Sequence, residues 1–404
     1  PERGQLFASL RYPNYRLWFF GQMFSLMGTW MQSAAQGFLV FQLTGSAAYL
    51  GYVGFAAGIP FWLFSLLAGV AADRMPRRRL LLLTQAYMML LALALAGLAF
   101  AQAVKPWHIV ILAFALGTGN AFDAPARQAF LLELVERPAL GNAIAMNSAM
   151  FNTAVAAGPA LGGAAYAAFG PGWCFTINAL SFLAVIGALL AMRLQPRRDA
   201  HPNGAAVREL KEGLSYAASH PSIRVLIGIV ALTSLFGLSL VTLMPAWAVR
   251  ILHGDARTNG LLLSARGVGA LGGALAIAAL SRRWRRANVM LSAAIAFPLL
   301  FLAFSFLRRL APALLLLAAS GVFLVLIYNL ANALIQDLAE DRLRGRVMSL
   351  YSFSVLGLPP AGALLAGLAA QAIGEPGTML LGCSICLAGA LWVRLRFSRL
   401  RELD

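Results

Sequence analysis

The sequence predicts an all-α integral membrane protein of twelve transmembrane helices in two pseudo-symmetric six-helix bundles, and three observations carry that prediction. The first is composition: 60% of the 404 residues are hydrophobic and 12% are charged, against about 45–50% and about 25% in soluble domains. The second is run length. About 20 apolar residues cross roughly 30 Å of hydrocarbon, and such runs occupy about 15–42, 47–72, 79–103, 107–124, 139–169, 173–195, 222–249, 258–281, 287–307, 312–336, 346–373 and 376–397. The third is duplication. The arginine-rich stubs Asp73-Arg74-Met75-Pro76-Arg77-Arg78-Arg79 and Ser281-Arg282-Arg283-Trp284-Arg285-Arg286 sit 209 residues apart, and the same offset carries Asn120 onto Asn329 and Asp123 onto Asn332. A fixed long-range period is a mark of repeated architecture.

These runs must be helices, because hydrocarbon offers no water to the backbone and barrel strands would be shorter and half polar. They group into bundles at 1–195 and 222–404, joined by a linker at 196–221. The junction reads Gln195-Pro196-Arg197-Arg198-Asp199-Ala200-His201-Pro202-Asn203-Gly204, which cannot continue a helix. Beyond it Val207, Leu210, Leu214 and Ala217 recur at three- and four-residue spacing, with Arg208, Glu209, Lys211 and Glu212 turned elsewhere. That pattern suits either a helix on the cytoplasmic membrane surface or one packed on a neighbouring loop.

Net charge +17 would suggest nucleic acid in a soluble protein. Its distribution says otherwise: one face and both tails hold 26 of the 32 Lys and Arg, and the other face holds Lys105, Arg250, Arg257, Arg308 and Arg309. This is the positive-inside pattern, with both termini in the cytoplasm and the basic face against anionic lipid. The first run is far longer than a signal-peptide core and no small-residue cleavage site follows it. Cys383 and Cys386 form a C-x-x-C inside the last span without a second pair, which reads as packing rather than metal or redox chemistry. No paired catalytic carboxylates, metal-spaced histidines or nucleophile elbow point to an enzyme, and no cofactor is implied.

Polar residues in spans should face a cavity or a partner helix. Gln22, Ser25, Thr29, Gln32 and Gln36 recur at three and four residues along the first span, a stripe that fits a wet cavity, with interhelical hydrogen bonding as the alternative. The tenth span repeats the idea with Tyr328, Asn329, Asn332 and Gln336, and the seventh offers Thr233, Ser234, Ser239 and Thr242. Arg266 lies inside the eighth span, and no Asp or Glu occurs at matching depth. It either snorkels to the outer interface or meets an anionic group of a substrate in an aqueous path. In the fourth span Asn120, Asp123 and Arg127 stand at i, i+3 and i+7; Asp123 pairs either with Arg127 or with the stub after the second span.

Gly69-Val70-Ala71-Ala72-Asp73-Arg74-Met75-Pro76-Arg77-Arg78 resembles the G-x-x-x-D-R-x-G-R-R loop between helices 2 and 3 of the major facilitator superfamily, departing at Pro76. The resemblance implies that Asp73 faces the start of helix 11, that Arg77 pairs with an acid at the end of helix 4, for which Asp123 is the candidate, and that this set with Arg74 latches a cytoplasmic gate. Gly158-Pro159-Ala160-Leu161-Gly162-Gly163 resembles the antiporter motif of exporters in that superfamily, although Ala145 and Ala154 stand where further glycines would fall. The segments 121–129, 142–163 and 345–349 are similar to the branch of enterobactin exporters and related efflux proteins.

The resemblance implies a secondary transporter of the bacterial cytoplasmic membrane, with a site near the midplane lined by helices 1, 4, 7 and 10 and reached from each side in turn. It implies export of an amphiphilic small molecule, siderophore-like or drug-like and, on the Arg266 reading, anionic, with protons as coupling ion. Uptake of a metabolite and a receptor that does not transport are the alternatives. Trp30, Phe114, Phe236 and Tyr328 are the aromatics placed to hold an apolar cargo body.

Overall fold

A computed structural model describes residues 7–193, 215–280 and 285–397. Its helices are α1 (Pro13–Thr44), α2 (Ala47–Arg74), α3 (Arg77–Phe100), α4 (Pro106–Leu134), α5 (Leu140–Phe169), α6 (Pro171–Ala191), α7 (Pro221–Phe236), α8 (Ala256–Leu280), α9 (Arg286–Ser305), α10 (Leu310–Leu338), α11 (Arg344–Ser352) and α12 (Leu358–Arg396). Proline opens α4, α6 and α7, a position where its missing N–H costs nothing. A π turn at Phe353–Gly357 runs α11 into α12, and Gly374, at φ +75°, breaks α12 into two arms. Irregular turns also extend α7, through Leu238–Leu243 and Met244–Ala246 to a π turn at Trp247–Ile251.

Among the described residues nine helices are long and apolar enough to cross a membrane, one of them the double-length stretch Arg344–Arg396. α1 and α5, though 32 and 30 residues long, fall outside those nine because polar side chains and small residues dilute their apolar content. Leucines such as Leu66, Leu67, Leu90 and Leu315 are exposed, as a lipid-facing surface requires.

The chain divides into two compact units: Pro1–Leu43, Ala56–Asn203 and Asp255–Gly260 in the first, Thr44–Phe55, Gly204–Gly254 and Leu261–Asp404 in the second. Most of the 196–221 linker, with Val207, Leu210 and Leu214, lies outside the described residues, as do Ser281 to Trp284 of the second stub.

In the first unit α3 packs on α4 and α6. Trp18 and Phe130 meet edge to face at 5.3 Å beside buried Tyr15, whose hydroxyl donates to the Ala143 carbonyl at 3.0 Å. In the second, α9 packs on α10 and α12, around buried Phe297, Phe301, Phe304 and Trp247, the last stacked on Phe304 at 4.8 Å.

The same neighbours recur, but the offset does not stay at 209. It holds from Ala47 to Ala256 and from Arg77 to Arg286, then becomes 204, since Pro106–Leu134 corresponds to Leu310–Leu338. α9 has 20 residues where α3 has 24, and the connection after it is one residue shorter. This corrects the sequence-based register: Asn120 corresponds to Leu324 and Asp123 to Ile327, rather than to Asn329 and Asn332.

The fourth span is also longer than predicted. α4 continues through Pro125 to Leu134, ten residues past the expected end, because the charges that argued for a membrane boundary find partners within the unit.

Candidate functional site

The polar stripe of α1 does not form an open face. Gln22, Ser25, Gln32 and Gln36 are buried and Thr29 is half-buried. Gln32 Oε1 accepts from Asn178 Nδ2 on α6 at 2.7 Å, Gln36 Nε2 reaches the Ile109 carbonyl at 3.5 Å, and Thr29 Oγ1 donates to the Ser25 carbonyl one turn back at 2.9 Å. Gln22 Oε1 is buried without a partner. The stripe largely serves helix packing, and Asn178 in the sixth span was the signal for it.

Polar groups do reach an open surface elsewhere in this unit. Asn120 on α4 and Ser33 on α1 are exposed, as are Ser148 and Thr153 on α5, with Asn152 half-buried beside them. Asn152 Nδ2 donates to the Ser148 carbonyl at 2.9 Å. Phe151, exposed on the same helix, meets Trp30 of α1 edge to face at 5.9 Å. Sequence reasoning missed the α5 set because it read that helix only for its glycines. Those glycines make close approaches: a Cβ at Gly158 would stand 2.6 Å from Trp30 Cβ, one at Gly162 2.7 Å from the Met31 carbonyl, and one at Gly163 would strike the Ala256 carbonyl in the short Asp255–Gly260 segment of this unit. Pro159, buried inside α5, leaves one backbone carbonyl unclaimed there.

The stub after α2 pairs differently from the prediction. Arg77 Nη1 donates to Glu133 Oε1 at 2.9 Å and to the Ala129 carbonyl at 2.8 Å. Asp123 is instead buried against α3, where its Oδ1 accepts from Thr84 Oγ1 at 3.0 Å and Gln85 Nε2 at 2.8 Å, while Oδ2 lies 3.4 Å from Arg127 Nε. Glu133 lies on the part of α4 beyond the predicted end of the fourth span, which is why sequence reasoning missed it. Asp73 and Arg74 are exposed at the end of α2.

In the second unit Tyr328 and Ser234 share a hydrogen bond at 2.8 Å, and Tyr351 OH donates to the Tyr328 carbonyl at 2.9 Å. Gln336 Nε2 donates to Asn332 Oδ1 one turn back. Asn329 is exposed in mid-helix. Arg266 is half-buried, its Nε sealed and without an acceptor, and its guanidinium lies within electrostatic reach of Tyr328. α8 and α10 cross at this residue, since a Cβ on Gly321 would strike the Arg266 carbonyl.

Sequence reading also missed a charged cluster here. Glu375, buried beside Gly374, accepts from Arg250 Nη1 at 2.7 Å, and Arg250 Nη2 donates to the Gly45 carbonyl. Ser46 Oγ donates to Gln371 Oε1 at 2.9 Å, and the backbones of Gly51 and Gly367 touch. Glu375 lies next to the Gly374 kink, where the sequence predicts a connection between spans. Cys383 and Cys386 are buried free thiols, Cys386 against the Leu232 carbonyl.

Residues 5–404 match the family described as transmembrane secretion effector, within the major facilitator superfamily. The chain belongs to this family. It is 31% identical over 378 residues to the multidrug efflux pump Tap of Mycolicibacterium fortuitum, covering 91% of each chain, and 25% identical to the staphyloferrin A transporter of Staphylococcus aureus, covering 92% of this chain and 94% of that one. The nucleoside transporter NupG shares the fold, with a TM-score of 0.76 at 14% identity over 96% of this chain and 100% of that one. This major facilitator protein is therefore a multi-pass membrane transporter of small molecules and not an enzyme. Within that family the residues described above are candidates for cargo contact and gating rather than for catalysis.

Proposed function

We propose that the protein exports amphiphilic small molecules, siderophore-like or drug-like, from the bacterial cytoplasm by alternating access, with a proton gradient as the drive. The observation that carries this reading is the exposure of side-chain amides inside a span of each unit, Asn120 at the middle of α4 and Asn329 between the middle and the end of α10. An amide facing hydrocarbon is costly, so such residues belong on a water-lined path. The Trp30–Phe151 pair near exposed Ser148 and Thr153 supplies an aromatic surface with polar neighbours, which suits a cargo that has both characters. The efflux activity in the names of relatives supports the direction.

On this reading Asp73 and Arg74, with Arg77 held on Glu133, bias a cytoplasmic gate, and the Gly158–Pro159 seam lets α5 bend against α1. Both termini lie in the cytoplasm. Saturable counterflow of a fluorescent amphiphile in proteoliposomes, accelerated by an imposed pH gradient, is the expected result. Binding without flux would sink the transport reading, and flux indifferent to the gradient would remove the proton. Labelling of a cysteine placed at Arg77 by an impermeant reagent in intact cells would reverse the orientation.

A further inference from the structure

We propose that Arg266 recognises a carboxylate or sulfonate group of the cargo. This rests on the export reading above, because the anion is taken to be part of the molecule carried.

The arginine has one sealed donor without an acceptor. A guanidinium offers five donors and no acceptor, yet Nε is buried without a partner and, among the described residues, Arg266 forms no ion pair. The described acids of the second unit that do form ion pairs take other partners: Asp337 pairs with Arg286, Asp341 with Arg344 and Glu375 with Arg250. A cation held in a span without a counter-charge is costly, and what compensates it must be drawn from outside these side chains.

Nor is the arginine needed for the helix crossing it occupies. At the equivalent crossing in the first unit, a Cβ on Gly117 would strike the carbonyl of Ala57. Ala57 corresponds to Arg266 at the 209 offset, and Gly117 to Gly321 at 204. The crossing uses only the backbone of that position, so a methyl suffices where packing is the sole demand.

The surroundings suit an anion. The Tyr328 hydroxyl, whose oxygen the Arg266 charge influences, shares one hydrogen bond with Ser234 in which either can be the donor; when Ser234 donates, the Tyr328 proton is left for a ligand. Arg266 is ten residues into α8, about 15 Å along its axis at 1.5 Å per residue, which is deep for a lipid phosphate and favours an anionic group on a carried amphiphile.

The test uses the full chain in phosphatidylcholine nanodiscs with two probes of one skeleton, anilinonaphthalene sulfonate and its uncharged parent phenylnaphthylamine, each read against empty discs. The sulfonate should bind saturably, and Arg266→Gln should weaken it by roughly 10- to 100-fold, the range of one charge-assisted hydrogen bond, while the parent compound binds as before. Arg266→Lys keeps the charge and should keep the preference for the sulfonate, which covers the case of a Gln variant that does not fold. Anionic lipid added to the discs should not compete; displacement by it would reassign the site to a headgroup and overturn the cargo assignment. No saturable sulfonate binding to the wild type, or equal losses for both probes in either variant, would also overturn it. Selective sulfonate binding without counterflow in proteoliposomes would instead overturn export and leave the anion site standing.

Discussion

The two units each hold a charge within a span, and they treat it in opposite ways. In the first, Asp123 is surrounded by Thr84, Gln85 and Arg127, so both its oxygens have partners. In the second, Arg266 has a sealed Nε with no acceptor. Neither charge has a charged counterpart in the other repeat, where Ile327 and Ala57 stand at the equivalent positions. Neither charge is therefore required by the framework the two repeats share. A satisfied charge locks a helix pair, whereas an unsatisfied one is open to a ligand, and substitutions that remove either should separate fold from function.

The largest effect is expected at Asp123. Asp123→Ala leaves Arg127 and two neutral donors facing each other without their acceptor, and breaking a buried pair in this way costs about 3–5 kcal/mol. Thermal unfolding in detergent should show a large drop in midpoint; a variant as stable as wild type would mean that the network contributes nothing. Next come the two crossings, where the units should behave alike. Gly117→Val and Gly321→Val each push a side chain into a backbone carbonyl, an overpacking that typically costs about 1–3 kcal/mol or more. Tolerance in one unit and not the other would break the equivalence of Ala57 with Arg266.

How much of this was legible beforehand depended on the range of the interaction. Composition and run length gave twelve spans, because hydrocarbon imposes one rule on every residue of a span. The duplication was legible from the stubs, but its register was not: Asn120 and Asn329 coincide at 209 only because α9 and the connection after it are together five residues shorter, and a matching amide hid the change. The α1 stripe was correctly placed on one helix face, yet which face a bundle turns inward depends on a partner such as Asn178, 146 residues away. Arg77 was expected to meet an acid on α4 and does, but at Glu133, since Asp123 had closer donors on α3.

That brace recurs in the second unit as Arg286 with Asp337 at 2.9 Å, related to Arg77 and Glu133 by offsets of 209 and 204. The two differ in solvent. Side-chain exposure is 13% and 23% for the first pair and 43% and 64% for the second. Glu133→Gln should therefore cost about 1–2 kcal/mol after allowance for partial exposure, and Asp337→Asn no more than about 1 kcal/mol. Raising salt should narrow the first difference little and erase the second. Equal losses at low salt would show that water reaches both braces to the same extent.

The smallest effect on stability is expected where the charge itself is most costly. Arg266→Ala copies the residue that the first unit carries at the equivalent crossing, keeps the carbonyl that meets Gly321, and removes a cation that no described carboxylate balances. Removing such a charge is neutral or stabilising, by contrast with the loss expected at Asp123. The thermal midpoint in nanodiscs should stay level or rise, and saturating anilinonaphthalene sulfonate should raise the wild-type midpoint but not that of the variant, because only a ligand that binds the folded state shifts it. A fall comparable to that of Asp123→Ala would show that Arg266 has a structural partner after all, and the contrast between a locked charge and an open one would fail at its second half.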